Sequence, residues 1–252
     1  MSQHAENNLA LGGFKLLCTT GSDLEKRLQQ CLEHREQTAL FFANTNFIVQ
    51  CQGMQEAMAK DTIIINDGIG VDIATWLVHR TRFPENLNGT DFIPTFLHNL
   101  QAQGRVYLFG GKPGIALRAA QTLRTEFGVN VVGTSDGYEQ GKDTPALIQR
   151  INDSGANVLL VAMGNPLQER WILQQRQYLN ASLLLGVGAM LDFLAGDKPR
   201  APDWVRRLRL EWFYRLCLEP ARLARRYTVD IGVFLALCLR TGKRTDISSN
   251  EG

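Results

Sequence analysis

An α/β fold, with a mostly parallel sheet covered by helices on both faces, is what this sequence predicts, together with a basic helical appendage at the C-terminal end. Three observations carry that expectation. Short apolar, β-rich runs alternate along the chain with amphipathic helical segments. Several of the runs are apolar almost throughout, as strands buried on both faces are. Glycine-containing turns follow four of the runs and lead into helical patterns.

The candidate strands are Ala39–Ala43, Thr62–Asn66, Arg105–Phe109, Asn130–Val132, Asn157–Met163 and Ser182–Val187. Between them lie helical patterns at Gly70–His79, Asp91–Gln103, Ile115–Phe127, Thr144–Ser154 and Leu167–Tyr178, each with apolar residues at helical spacing. Such a chain winds a Rossmann-like sheet, in which ligands collect where loops leave the carboxyl ends of the strands. The division expected is a catalytic body over residues 1–197 and an appendage over 198–252.

With 252 residues, the chain can bury a full core. No apolar run reaches the roughly 18–20 residues that span a bilayer; the longest, Ile231–Leu239, has half that length. The first ten residues are polar and carry no charged-then-apolar signal, so a cytoplasmic protein is expected. Cys18, Cys31, Cys51, Cys217 and Cys238 are odd in number and form no CxxC, which points to reduced structural thiols.

The net charge of +2 conceals an asymmetry. From residue 198 onward 12 Lys and Arg face 6 Asp and Glu, against 15 and 19 in the rest. The stiff Lys198-Pro199-Arg200-Ala201-Pro202 opens this basic quarter. Val205, Leu208, Trp212 and Leu216 then form one apolar stripe, amid Arg206, Arg207, Arg209, Arg215, Arg222, Arg225 and Arg226. Such a run is either a core-packed helix with a solvated basic face or an interfacial helix whose arginines meet anionic headgroups or a diphosphate. Nucleic acid is not expected, because the aromatics cluster rather than spread for base stacking.

The most informative stretch is Gly164-Asn165-Pro166-Leu167-Gln168-Glu169-Arg170-Trp171-Ile172. A buried strand ending in Gly-x-Pro before a helix puts free N–H groups and a positive helix end at the sheet edge, which suits an anion or a sugar hydroxyl. Gln168 and Glu169 fall in the first turn, where their side chains can face the same mouth. Thr62–Asn66 ends in Asp67-Gly68-Ile69-Gly70: the acid sits at the mouth, and Gly68 and Gly70 allow close approach of a ligand. Asp67 is either a general base or a helix cap. Asn44 and Asn46 follow the first strand and either reach the same mouth or form its turn.

Gly110-Gly111-Lys112-Pro113-Gly114 is a second glycine turn, without GxGxxG or P-loop spacing. Asp136, 22 residues beyond Gly114, leaves a dinucleotide ribose reading open. Gly186-Val187-Gly188 is a third turn. The chain has no Asp-x-Asp and its four histidines are scattered, so a metal site is not expected.

These motifs resemble the WecG/TagA/CpsF glycosyltransferase family (glycosyltransferase family 26). The resemblance rests on Asn46, Asn66-Asp67-Gly68-Ile69-Gly70, Asn88-Gly89-Thr90-Asp91, Leu108-Phe109-Gly110-Gly111 with Gly114, the Gly164–Ile172 stretch and Gly186-Val187-Gly188. It extends through Arg200-Ala201-Pro202, Glu211-Trp212, Tyr214-Arg215-Leu216, Glu219-Pro220 and Arg222 to Arg226, covering about residues 35–228 in order. It implies an inverting, metal-independent transferase that needs no cofactor. Such an enzyme moves a sugar from a UDP-sugar, of N-acetylmannosamine or glucose type, to a polyprenyl-diphosphate-linked saccharide at the inner face of the plasma membrane.

The same resemblance implies Asp67 as catalytic base and Asn46 and Gln168 as contacts to sugar or nucleotide, with Asp91 among the matched positions. Arg215 and Arg222, with Arg225 beside them, would grip the acceptor diphosphate. Two positions depart from the family pattern: Asn44 stands where many members carry Thr, and Asn86 where many carry Arg. A nucleotide-cofactor oxidoreductase and a non-catalytic polysaccharide-assembly scaffold are the rival readings. Oligomeric state stays open.

Overall fold

The computed structural model describes residues 7–138, 140–202, 205, 211–218, 220, 228 and 230–240. Six parallel strands form the central sheet in the order β4-β3-β8-β7-β5-β6. They are β3 (Thr38–Ala43), β4 (Thr62–Asn66), β5 (Val106–Gly110), β6 (Val131–Ser135), β7 (Val158–Ala162) and β8 (Leu183–Gly186). All six expected strands are present, Thr62–Asn66 with the expected bounds and the others with ends shifted by at most three residues.

The sheet is sealed on both faces, and side-chain alternation assigns each residue to one of two cores. Phe41, Leu159, Val161 and Leu184 point to one face. Leu40, Phe42, Leu160 and Leu185 point to the other. The first face is covered by α2 (Thr45–Gln50), α3 (Ile69–His79), α6 (Thr144–Asp153) and α7 (Leu167–Gln175), through Phe47, Val71, Leu147 and Ile172. The second is covered by α1 (Gly21–His34), α4 (Gly89–Leu100), α5 (Ile115–Phe127) and α8 (Met190–Leu194), through Leu28, Phe96, Ala120 and Leu191.

An N-terminal hairpin, β1 (Asn8–Leu11) and β2 (Phe14–Leu17), adds Leu11, Phe14 and Leu16 to the first core. Its two-residue turn, Gly12-Gly13, has positive φ at both positions, as a tight hairpin of this twist needs.

Beyond residue 198, a helix over Glu211–Leu218 is described, and residues 231–240 are helical. Of the expected apolar stripe, Val205 is buried, Trp212 is 37% exposed, and Leu208 lies outside the described residues. Phe234 and Cys238 are buried in the first core, so this part of the basic quarter packs on the body. No helix of the described residues is long and apolar enough to cross a membrane.

Candidate active site

Because the strands are parallel, every strand-to-helix loop opens at one edge of the sheet. Strand order then decides which expected residues meet. β4, β3, β8 and β7 are consecutive neighbours, so Asp67, Asn44 and Asn46, Gly186–Gly188 and Gly164–Gln168 stand side by side along that edge.

Asp67 directly follows β4, its amide donating to the Ala43 carbonyl at 2.9 Å. The N-cap of α3 is the next residue, not Asp67 itself. Gly68 holds the N-cap position, with φ 90° and no side-chain cap bond. Asn44 Nδ2 donates to Asp67 Oδ2 at 3.4 Å. Asn44 is also the N-cap of α2, its Oδ1 accepting from the Phe47 amide at 3.1 Å. Asn44 therefore caps α2 with one end of its amide and reaches Asp67 with the other. Gly70 is required by close approach, since a Cβ there would lie 2.6 Å from Thr45 Cγ2 in the first turn of α2.

A second chain of side chains runs from β3 to β7. Asn46 Nδ2 donates to Asn165 Oδ1 at 3.3 Å, and Asn165 Nδ2 donates to Glu169 Oε1 at 2.6 Å. Gln168 Nε2 donates to the same oxygen at 2.7 Å. Gln168 Oε1 accepts from the amides of Gly164, at 3.2 Å, and Gly188, at 2.9 Å. Gln168 thus ties the turn after β7 to the turn after β8. Gly186 makes room for it, because a Cβ there would lie 3.0 Å from Gln168 Nε2.

Gln168 and Glu169, expected to face the mouth, lie below the surface of the sheet edge. Gln168 is 3% exposed and Glu169 is fully buried, so both brace the mouth from beneath. Burial raises the Glu169 carboxyl above the ordinary glutamate range, against the hydrogen bonds from Gln168, Asn165 and Cys51 that favour its charged form. The Cys51 thiol is in turn pushed up, by burial and by Glu169 beside it.

Other expected residues lie elsewhere. Gly110 and Gly111 end β5, four strands from β4, which at the strand spacing is roughly 19 Å from Asp67. The Gly111 amide is used by the Ala162 carbonyl at 3.0 Å, and a Cβ on Gly110 would collide with that carbonyl. These glycines serve strand packing first. Asp91 lies in the first turn of α4, paired with Arg200 beside a groove between α4, α5 and α8. Arg215 lies within the Glu211–Leu218 helix, and Arg222 and Arg225 lie outside the described residues.

Asp136 is nearly buried and binds its own loop, accepting from the Tyr138 and Gln140 amides at 2.9 and 3.3 Å. That engagement, with Gly111 spent on Ala162, disfavours a dinucleotide ribose site. Among the described residues no group of three or more His, Cys, Asp and Glu side chains gathers to hold a metal ion.

Three residues around Asp67 were not singled out as site residues from the sequence. Asn66 Nδ2 donates to Asp72 Oδ1 at 3.0 Å and to the Glu85 carbonyl at 2.9 Å. Asn86 Nδ2 donates to Asp72 Oδ2 at 3.1 Å, while Asn86 Oδ1 accepts from the Gly68 amide at 3.2 Å. Asn66 lies in a matched motif and Asn86 at a position that departs from the family pattern, but nothing in the linear order pairs Asp72 with a residue 14 positions away.

Chemically, the edge offers the Asp67 carboxylate, a row of amide side chains, and the N-terminus of α3. Residues 9–247 match the model of the glycosyl transferase WecG/TagA/CpsF family, and the chain belongs to that family.

Proposed function

We propose that this member of the WecG/TagA/CpsF family is an inverting transferase acting in cell-surface polysaccharide assembly. In this reading it moves a sugar from a UDP-sugar to a polyprenyl-diphosphate-linked saccharide. The observation that carries it is Asp67 at the carboxyl end of β4, its carboxylate accepting from Asn44 beside the Gly68 N-cap of α3. Asp67 takes the proton from an acceptor hydroxyl as that oxygen attacks the anomeric carbon opposite the departing UDP. The reacting sugar lies over β3 and β4, near Asn46, and the nucleotide extends toward β8 and β7.

The leaving diphosphate needs its charge met as the bond breaks. With no Asp-x-Asp in the chain, α-helix N-termini along this edge and the basic C-terminal quarter supply that charge electrostatically. Arg215, Arg222 and Arg225 are assigned to the acceptor diphosphate at an anionic membrane surface, which fits the charge asymmetry of the chain.

The test is UDP release by purified protein in membranes bearing polyprenyl-diphosphate sugars, with EDTA present. UDP-N-acetylmannosamine, UDP-glucose and UDP-N-acetylglucosamine are compared. Acceptor-dependent release from one donor supports the reading and identifies the sugar. UDP binding with no release from any donor supports the scaffold instead.

A further inference from the structure

Asp67 sits between two residues that are both tied, directly or through one neighbour, to a single carboxylate. On its N-terminal side, Asn66 is fully buried and donates to Asp72 Oδ1. On its C-terminal side, the Gly68 amide donates to Asn86 Oδ1, and Asn86 Nδ2 donates to Asp72 Oδ2. We propose that Asp72 is a positioning residue for Asp67, clasping both flanks of the catalytic turn through Asn66 and Asn86. The inference rests on the reading of Asp67 as the base.

Hydrogen bonds hold this turn: the Asp67 amide donates to the Ala43 carbonyl, and the clasp adds bonds on either side of it. Gly68 has positive φ, no heavy atom of the described residues beyond its chain neighbours lies within 4 Å of where its Cβ would stand, and this N-cap position has no side-chain cap bond. Among the described residues, neither side-chain packing nor a side-chain cap restrains Gly68. Hydrogen bonds take their place, and their far ends are anchored. The Glu85 carbonyl accepts from Asn66, and Glu85 Oε2 accepts from the Gly21 amide at 2.8 Å, tying the 85–88 loop to the start of α1.

The chemistry also requires a carboxylate. The Asn66 amide faces two acceptors, and the Asn86 amide offers its oxygen to Gly68, so both turn NH₂ groups toward residue 72. An ionised carboxylate accepts at both oxygens; an amide at position 72 would present NH₂ to one of the two donors and break that arm. A slack turn moves Asp67 relative to the acceptor oxygen without altering the nucleotide end of the site. A misplacement near 1 Å can cost about 10²-fold in rate.

The experiment compares Asp72→Asn, Asn86→Ala and the double variant with wild type, all as full-length protein. The first readout is amide hydrogen exchange, which needs no turnover. Exchange at Gly68 is expected to rise about tenfold or more in each variant, while β7 and β8 keep their protection. The second is acceptor-dependent UDP release. Its kcat should fall about 10- to 100-fold while the donor KM stays within about threefold. The double variant should be no worse than the poorer single one, because both substitutions break one clasp.

Unchanged Gly68 exchange in both single variants overturns the clasp. So does a parallel loss of melting temperature, donor binding and kcat, which marks a merely structural role. Asn86→Ala, on a half-buried side chain, keeps the test open if Asp72→Asn folds poorly. Full turnover in Asp67→Asn would instead sink the base assignment, and that variant leaves the clasp intact.

Discussion

Asn44 Nδ2 lies 3.4 Å from Asp67 Oδ2, while the other end of the same amide caps α2 through the Phe47 amide at 3.1 Å. The cap fixes which way the amide faces, and so presents a donor, not an acceptor, to the carboxylate. Capping and orienting are separable by substitution. Asn44→Asp keeps a capping oxygen but sets a second carboxylate against Asp67. Its melting temperature should match wild type while turnover falls at least about tenfold. Asn44→Ala should lose turnover and about 1 kcal/mol of stability together. An Asn44→Asp variant with normal turnover would show that the 3.4 Å contact has no role in the chemistry.

Glu169 supplies a pH signature. Its folded-state carboxyl titrates above the ordinary glutamate range because it is buried. Below that range both folded and unfolded chains hold the proton, and Glu169 costs nothing. As pH rises above about 4.3, the unfolded chain loses its proton before the folded one does, so stability declines until the folded carboxyl also ionises. Glu169→Gln keeps an oxygen for Asn165 and Gln168 but cannot ionise. Its melting temperature relative to wild type should therefore be higher at pH 8 than at pH 4. Equal offsets at both values would contradict the direction of the shift.

Gln168 should behave as a brace rather than as a surface contact. Gln168→Ala removes the acceptor for the Gly164 and Gly188 amides and leaves a void beneath the mouth. A loss of roughly 2–4 kcal/mol is expected, with weaker UDP binding. Chemical denaturation and nucleotide titration check the two effects separately. A variant of wild-type stability that only loses nucleotide affinity would return Gln168 to the mouth.

Phe234 makes the C-terminal segment a structural partner of the body. It is 2% exposed, in the same core as Phe47 and Ile48. Phe234→Ala should cost about 3–5 kcal/mol, and truncation after Asp197 should lower the melting temperature as well. Unchanged melting in either would show that residues 198–252 form a dispensable appendage.

Much of the fold was legible because buried parallel strands leave dense apolar runs, and the helices between them keep their period. The N-terminal hairpin was less visible: its strands are four residues each, and only Gly12-Gly13 marks its turn. At the site, Asp67, Asn44 and Asn46 could be read from their places after strands. Glu169 could not be placed inward from sequence, since the first turn of a helix offers both inward and outward positions. The distance of Gly110 from Asp67 was hidden for a different reason. It depends on β8 and β7 inserting between β3 and β5, an order that no local pattern encodes.

Acceptor-dependent UDP release by Asp67→Asn, measured beside UDP binding by the same preparation, tests the central claim most directly. Removing a general base costs about 10²–10⁴ in rate, so turnover should fall by that order while the fold and UDP affinity stay as in wild type. Turnover within a few-fold of wild type would contradict the assignment of Asp67 and send the search for the base elsewhere along the sheet edge.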